Sequence, residues 1–159
     1  MTLLNKEPVQ RVQAKLRDFD PQSKVMILST SAKTAVEAAS SLECEVGAII
    51  KSLLFKTENK FTLCLIAGDK KASLNKIKKN LQIKDASMAS VEDVKKITGY
   101  TIGGVSPIGH LNKIDILIDN SLERFEILFA AAGHPNCVFK TNFEDLKKIT
   151  EGIVKEISE

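Results

Sequence analysis

Residues 48–68 read AIIKSLLFKTENKFTLCLIAG. Two apolar runs, 48–56 and 61–68, flank the short polar segment TENK at 57–60. Runs of this length, rich in branched and aromatic residues and split by a few polar ones, form a β-hairpin. Strand alternation puts Ile49, Lys51, Leu53 and Phe55 on one face and Ile50, Ser52 and Leu54 on the other. A strand apolar on both faces belongs in the middle of a sheet, covered on each side. Lys51 is the anomaly. An ammonium held dry and unpaired is costly. Either it snorkels from the strand end or pairs with a structural carboxylate, or it points into a pocket to meet an anionic or carbonyl oxygen. Spacing alone leaves both readings open.

Outward from the hairpin, helices and strands alternate without a repeat. Val9, Val12 and Leu16 recur at helical spacing over residues 8–18, with Pro8 suited to a first turn. Residues 24–29 (KVMILS) suit a strand, and 31–42 a helix with Thr34 and Glu37 as a capping box. Leu74, Ile77 and Leu81 form one stripe within 69–84, and 90–99 is a helix opened by Ser90 and Asp93 and stopped by Gly99. Strands follow within 114–119, 124–133 and 137–141. Residues 141–157 are expected to close the chain as a helix, with Thr141 and Glu144 as a capping box. The hairpin argues against a purely parallel, doubly wound sheet. The expected fold class is therefore mixed α/β (α+β), a curved mixed β-sheet surrounded by helices.

At 159 residues, 43% hydrophobic and 27% charged, the chain suits one domain over 1–159 and excludes disorder. A net charge of +3 neither demands nor excludes a nucleic-acid partner. The N-terminus turns charged at once and no apolar stretch approaches membrane-spanning length, so a cytoplasmic protein without membrane contact is expected. Cys44, Cys64 and Cys137 are widely spaced and read as free thiols. With His110 and His134 unpaired and no CxxC, neither a metal nor another cofactor is expected.

Two small-residue loops stand out. Residues 100–110 read YTIGGVSPIGH, where Gly103, Gly104 and Gly109 free the backbone and Pro107 stiffens it. Such a loop is either a tight turn or a clamp of main-chain N–H donors. No Lys-Ser or Lys-Thr follows its last glycine, so it is not a P-loop. Residues 130–136, AAAGHPN, put Gly133 and His134 at a strand exit. Ser106, with His110 or His134 and Asp119, offers a triad on paper, but no GxSxG surrounds it. Lys70, Lys71, Lys76, Lys78, Lys79 and Lys84 stand against a lone Asp69 in 69–84, either a solvated face or a phosphate-contacting patch.

The order of these segments resembles the YbaK family, that of the editing domain of bacterial prolyl-tRNA synthetases and its free-standing relatives. The likeness runs from about residue 25 to residue 150. It implies a free-standing aminoacyl-tRNA deacylase that hydrolyses the ester of a mischarged tRNA, a small or polar amino acid on tRNA(Pro). The partners implied are the 3′ aminoacyl end of the tRNA and prolyl-tRNA synthetase. Lys51 matches the family's strand lysine, and Gly103, Gly104, Ser106, Pro107 and Gly109 its glycine-proline loop. Gly133 matches the glycine of the later loop. His134 falls at a position where relatives vary, and His110 follows the first loop; both are placed with the substrate-binding set. In this reading the loop amides and Lys51 carry catalysis, and water or a group of the substrate attacks. Two rivals remain, a non-catalytic tRNA- or synthetase-binding module of the same fold and a Ser106-centred esterase.

Overall fold

The computed structural model describes residues 2–159. The hairpin forms as read. Strands β2 (Ile50–Thr57) and β3 (Lys60–Ala67) pair antiparallel from Ile50↔Ala67 to Thr57↔Lys60. They sit inside a five-stranded sheet of order β4-β2-β3-β5-β8, with β4 at Ala86–Met88, β5 at Asp115–Asp119 and β8 at Ile153–Lys155. The β3–β5 and β5–β8 pairings are parallel, so the sheet is mixed. A second, three-stranded sheet has the order β1-β7-β6, with β1 at Met26–Ile27, β6 at Leu128–Ala131 and β7 at Cys137–Thr141. The two sheets touch at an isolated parallel bridge, Ile49↔Phe129.

Five α-helices surround the sheets among the described residues: α1 Glu7–Phe19, α2 Ala35–Leu42, α3 Leu74–Leu81, α4 Val91–Thr98 and α5 Phe143–Thr150. Their starts are set by side-chain caps. Thr34 and Glu37 form the expected reciprocal box, Ser90 accepts from Asp93 N–H, and Ser73 accepts from Lys76 N–H. Gly99 ends α4 at φ +81°.

Each face of the five-stranded sheet is covered. On one, Ile50, Leu54, Leu63 and Leu65 pack in the large core with Val9, Val12 and Leu16 of α1 and with Leu128 and Phe139 of the smaller sheet. On the other, Phe55, Cys64, Ile66 and Leu117 pack against Ile77 of α3 and Ile157 near the C-terminus. β2 is therefore apolar on both sides because it is buried on both sides.

The C-terminal reading needs correction. The last helix ends at Thr150, where Glu151 turns left-handed at φ +56°, and residues 153–155 are a strand. The helix is capped by Asn142, whose side chain accepts from Asp145 N–H, because Thr141 is still in β7. Beyond β8 the tail is held by the buried Asp119 carboxylate, which accepts from Ile157 N–H (2.8 Å) and Ser158 Oγ (2.8 Å).

Candidate active site

A cavity of about 330 Å³ opens where the two sheets part. One wall is the start of β2, with Ile50, Ser52 and Leu54. Ala35 and Ala38 of α2 form a second, and Ala130 and Ala131 of β6 a third. Gly103 and Val105 bring the glycine loop to its edge, and Lys33, Met88 and Ile102 border it as well. Met88 and Ile102 stay 57% and 58% exposed, an apolar rim around an opening lined largely by small and aliphatic side chains.

The two small-residue loops are packed together. Gly133 N–H donates to the Gly104 carbonyl at 3.0 Å. A Cβ on Gly104 would lie 2.9 Å from His134 N, and one on Gly133 would lie 2.8 Å from Pro8 C and O. Gly103, Gly109 and Gly133 hold φ of +93°, +75° and +89°. From α1, the Arg11 guanidinium donates to the carbonyls of Gly99 and Gly109, both at 3.0 Å, and lies over the Tyr100 ring. Tyr100 Oη donates to the carbonyls of Ile108 (2.7 Å) and Gly109 (2.9 Å). These contacts fix the loop from behind. Gly103 N–H and Val105 N–H, at the cavity edge, have no hydrogen-bond partner among the described residues.

The other sequence candidates are distributed unevenly. Ser106 is fully buried, and its hydroxyl accepts from Ile108 N–H at 3.4 Å. His110 Nε2 donates to the Ser106 carbonyl at 2.7 Å, not to its hydroxyl. Burial pushes the His110 pKa down, and nearby Arg11 adds to this against the hydrogen bond to Ser106. Asp119 is engaged with Ser121, Ile157 and Ser158. The three groups of the paper triad are thus bonded elsewhere, and Ser106 has no base beside its hydroxyl. Pro107 is buried within the loop. His134 abuts Gly104, and its Nδ1 accepts from Asn136 N–H at 3.0 Å. Desolvation, then Lys6, lowers its pKa.

Lys51 borders the cavity, but its ammonium donates to the carbonyl of Lys70. Burial lowers its pKa; the Asp69 carboxylate opposes that and Lys71 adds to it. Of the lysine block, Lys76 is committed to the tail, donating to the Ser158 carbonyl at 2.7 Å and pairing with Glu156 at 3.3 Å. Lys71 and Lys79 are exposed, and Lys70 and Lys78 are half-buried. Ile77 of α3 packs in the core on the sheet face away from the large one, so the block as a whole is not gathered at the cavity. No cluster of three or more metal-ligating side chains occurs among the described residues.

Against known families, residues 29–149 match the aminoacyl-tRNA editing domain. The chain belongs to this family. Proline–tRNA ligase of Caldicellulosiruptor bescii is 29% identical over 154 residues, covering 91% of this chain and 26% of that protein. The chain spans about a quarter of the length of that ligase, whereas the uncharacterised protein YwhH of Bacillus subtilis, 29% identical, is covered over 90% of its length. A crystal structure provisionally assigned as a trans-editing enzyme for prolyl-tRNA synthetase superposes with a TM-score of 0.91 at 32% identity, over 97% of this chain and 98% of that one. The editing-domain fold is α+β, with the cavity at the junction of its sheets.

Several residues of the editing-domain cavity escaped sequence reading. Thr34 and Ala35 carry only the signal of a helix start, although they line it. Ser52 is in sequence the polar member of an apolar face; its place in the cavity follows from where β4 stops pairing, which no local pattern encodes. Lys33 carries no signal beyond an exposed cation ahead of a capping box.

Proposed function

We propose that this chain is an aminoacyl-tRNA deacylase that removes a small or polar amino acid from the 3′ end of mischarged tRNA, with tRNA(Pro) as the context. The observation that carries the reading is the apolar cavity bordered by the unpaired amides of Gly103 and Val105. An aminoacyl ester is already activated, so it chiefly needs its carbonyl oriented and its developing oxyanion met by fixed dipoles. The loop supplies such dipoles, rigidified by Arg11 and Tyr100 from behind. Water, or a group of the substrate such as the ribose hydroxyl, is the attacking nucleophile. Lys51 then acts at the ester or the terminal phosphate by leaving the Lys70 carbonyl, a neutral partner. The small-residue walls favour the second-sieve logic, in which a compact acyl group enters and a larger correct one stays out.

A panel of tRNAs mischarged with alanine, serine, threonine and cysteine tests this, with release of amino acid as readout. Cleavage of at least one above the buffer rate, reduced about tenfold or more by Lys51→Ala, is expected for a charge-assisted contact. An intact protein that accelerates none refutes the reading. The engagement of the Lys51 ammonium by a main-chain carbonyl favours one alternative, a tRNA- or synthetase-binding module without turnover. Salt-sensitive tRNA binding that weakens on neutralising Lys78 and Lys79, with no ester cleaved, supports that alternative.

A further inference from the structure

Two buried hydroxyls, those of Ser31 and Ser52, have no hydrogen-bond partner among the described residues. Ser52 lines the cavity. Ile50 and Leu54, of the same strand parity, line it too and pack into the large core, and Lys51 and Leu53 of the other parity also border it. A buried hydroxyl without a partner is destabilising, and native proteins rarely keep one without a reason.

The main chain at Ser52 tells the same story. On the side away from β3, the Leu54 carbonyl accepts from Ala89 N–H at 3.0 Å, and the β2–β4 register runs only from Phe55↔Met88 to Thr57↔Ala86. Alternation directs the N–H and C=O of Ser52 to that same outer side. There β4 has ended, and β6 packs beside β2 but bridges the chain at Ile49↔Phe129, ahead of Ser52. Ser52 therefore occupies a gap in the sheet edge between two strands that each stop short of it.

The remaining polar side chains around the cavity are occupied or peripheral. Thr34 Oγ1 donates to Glu37 and accepts from its N–H, the Lys51 ammonium is held by Lys70, and Lys33 is exposed. Thus the aliphatic lining carries one unengaged hydroxyl above an unpaired stretch of strand edge.

We infer that Ser52 is a substrate contact, its hydroxyl turning about χ1 from its occluded position to hydrogen-bond a polar group of the acyl moiety: a side-chain hydroxyl or the α-amino group. This rests on the proposed deacylase reading of the cavity. A site that hydrogen-bonds its ligand discriminates against analogues lacking the group far better than one that only measures size, because the buried partner is then left unpaired. Where the group read is a side-chain hydroxyl, Ser52 adds this chemical sieve to the steric one; where it is the α-amino group, Ser52 orients the ester without discriminating among acyl groups.

The test compares wild type with Ser52→Ala, which removes the hydroxyl without adding volume. Single-turnover cleavage of seryl- and alanyl-tRNA(Pro) is measured beside calorimetric binding of 3′-deoxy-3′-serylaminoadenosine and its alanyl counterpart, which cannot be hydrolysed. Ser52→Ala is expected to lose about tenfold to a hundredfold in cleavage and binding, while its melting temperature stays level or rises, since an unpaired buried hydroxyl is gone. A loss confined to the seryl compounds identifies the side-chain hydroxyl as the group read; an equal loss on both identifies the α-amino group. If wild type cleaves nothing yet binds the analogues more tightly than Ser52→Ala does, the deacylase reading falls and the Ser52 contact stands. Wild-type cleavage and binding by Ser52→Ala, or losses that track a lowered melting temperature, overturn the inference.

Discussion

Replacing Gly103, Gly104 and Gly133 singly by alanine separates two costs that the glycine loop combines. At Gly103 φ is +93°, but a Cβ would meet nothing nearer than 3.5 Å, an ordinary contact with Lys33 and Pro135. Only the left-handed backbone is penalised, by about 1–2 kcal/mol. At Gly104 φ is not in that region, yet the Cβ would lie 2.9–3.0 Å from the main chain of Gly133 and His134. Backbone cannot rotate away as a side-chain tip can, and overpacking of this kind costs about 1–3 kcal/mol. Gly133 has both defects, φ +89° and contacts of 2.8 Å to Pro8 C and O and 3.0 Å to Val9 N. Its alanine variant should therefore lose about 2–5 kcal/mol, the sum of the two. In a chain of this size each kcal/mol moves the melting temperature by roughly 2–4 °C. Thermal denaturation followed by circular dichroism should rank Gly133→Ala well below the other two. If it melts with Gly103→Ala, the start of α1 is not seated against the second loop and the argument for a rigid loop pair is wrong.

Two further outcomes follow from buried groups. Burial pushes the Asp119 carboxyl up, but hydrogen bonds from Ser121, Ile157 and Ser158 outweigh it and hold its pKa below the usual value. A depressed folded pKa stabilises above the unfolded value, about 3.9 for Asp, and the contribution is lost as pH falls through the folded one. Urea midpoints of wild type should therefore decline more steeply below about pH 4 than those of Asp119→Asn, which lacks the titrating group; parallel acid limbs refute this. Among the thiols, Cys64 is fully buried and its pKa is pushed up to about 12, by burial first and by Asp119 second, and Cys137 is fully buried as well. Only the partly exposed Cys44 should react with iodoacetamide at pH 8 in the native protein, with all three labelled in denaturant; mass spectrometry of tryptic peptides decides it.

Elements with a strong local signal were legible in the sequence. The hairpin is readable because both faces of β2 are apolar and TENK lies between the runs. α2 is readable because Thr34 and Glu37 close a reciprocal cap that needs no tertiary help. β4 and β8, of three residues each, are not, since they are strands only by pairing with β2 and β5. The end of α5 carries a signal in Gly152, whose N–H donates to Thr150 Oγ1 at the helix exit, and a helix read through residue 157 passes over it. Gly103, Gly104 and Gly133 were legible as candidates because glycine is costly unless the backbone needs it. Their mutual packing was not, nor was the part played by Arg11, whose partners Gly99 and Gly109 lie 88 and 98 residues away.

The placing of the cavity follows from the same logic that makes it invisible locally. A sheet edge exposes unpaired N–H and C=O groups, and proteins normally cover or shorten such edges. Here β4 covers β2 from Phe55 to Thr57, β6 approaches at Ile49, and the interval around Ser52 is left open. Closing it would have required only a longer β4. Instead the chain turns at Ala89 into the cap of α4, with Ser90 accepting from Asp93 N–H, and the glycine loop returns to the gap from the far end of that helix. The cap that starts α4 therefore also ends β4, and one local choice opens the strand edge while delivering Gly103 and Val105 beside it. A cavity built this way brings a polar strand edge beside apolar walls, which suits a ligand bearing polar groups better than a purely hydrophobic one.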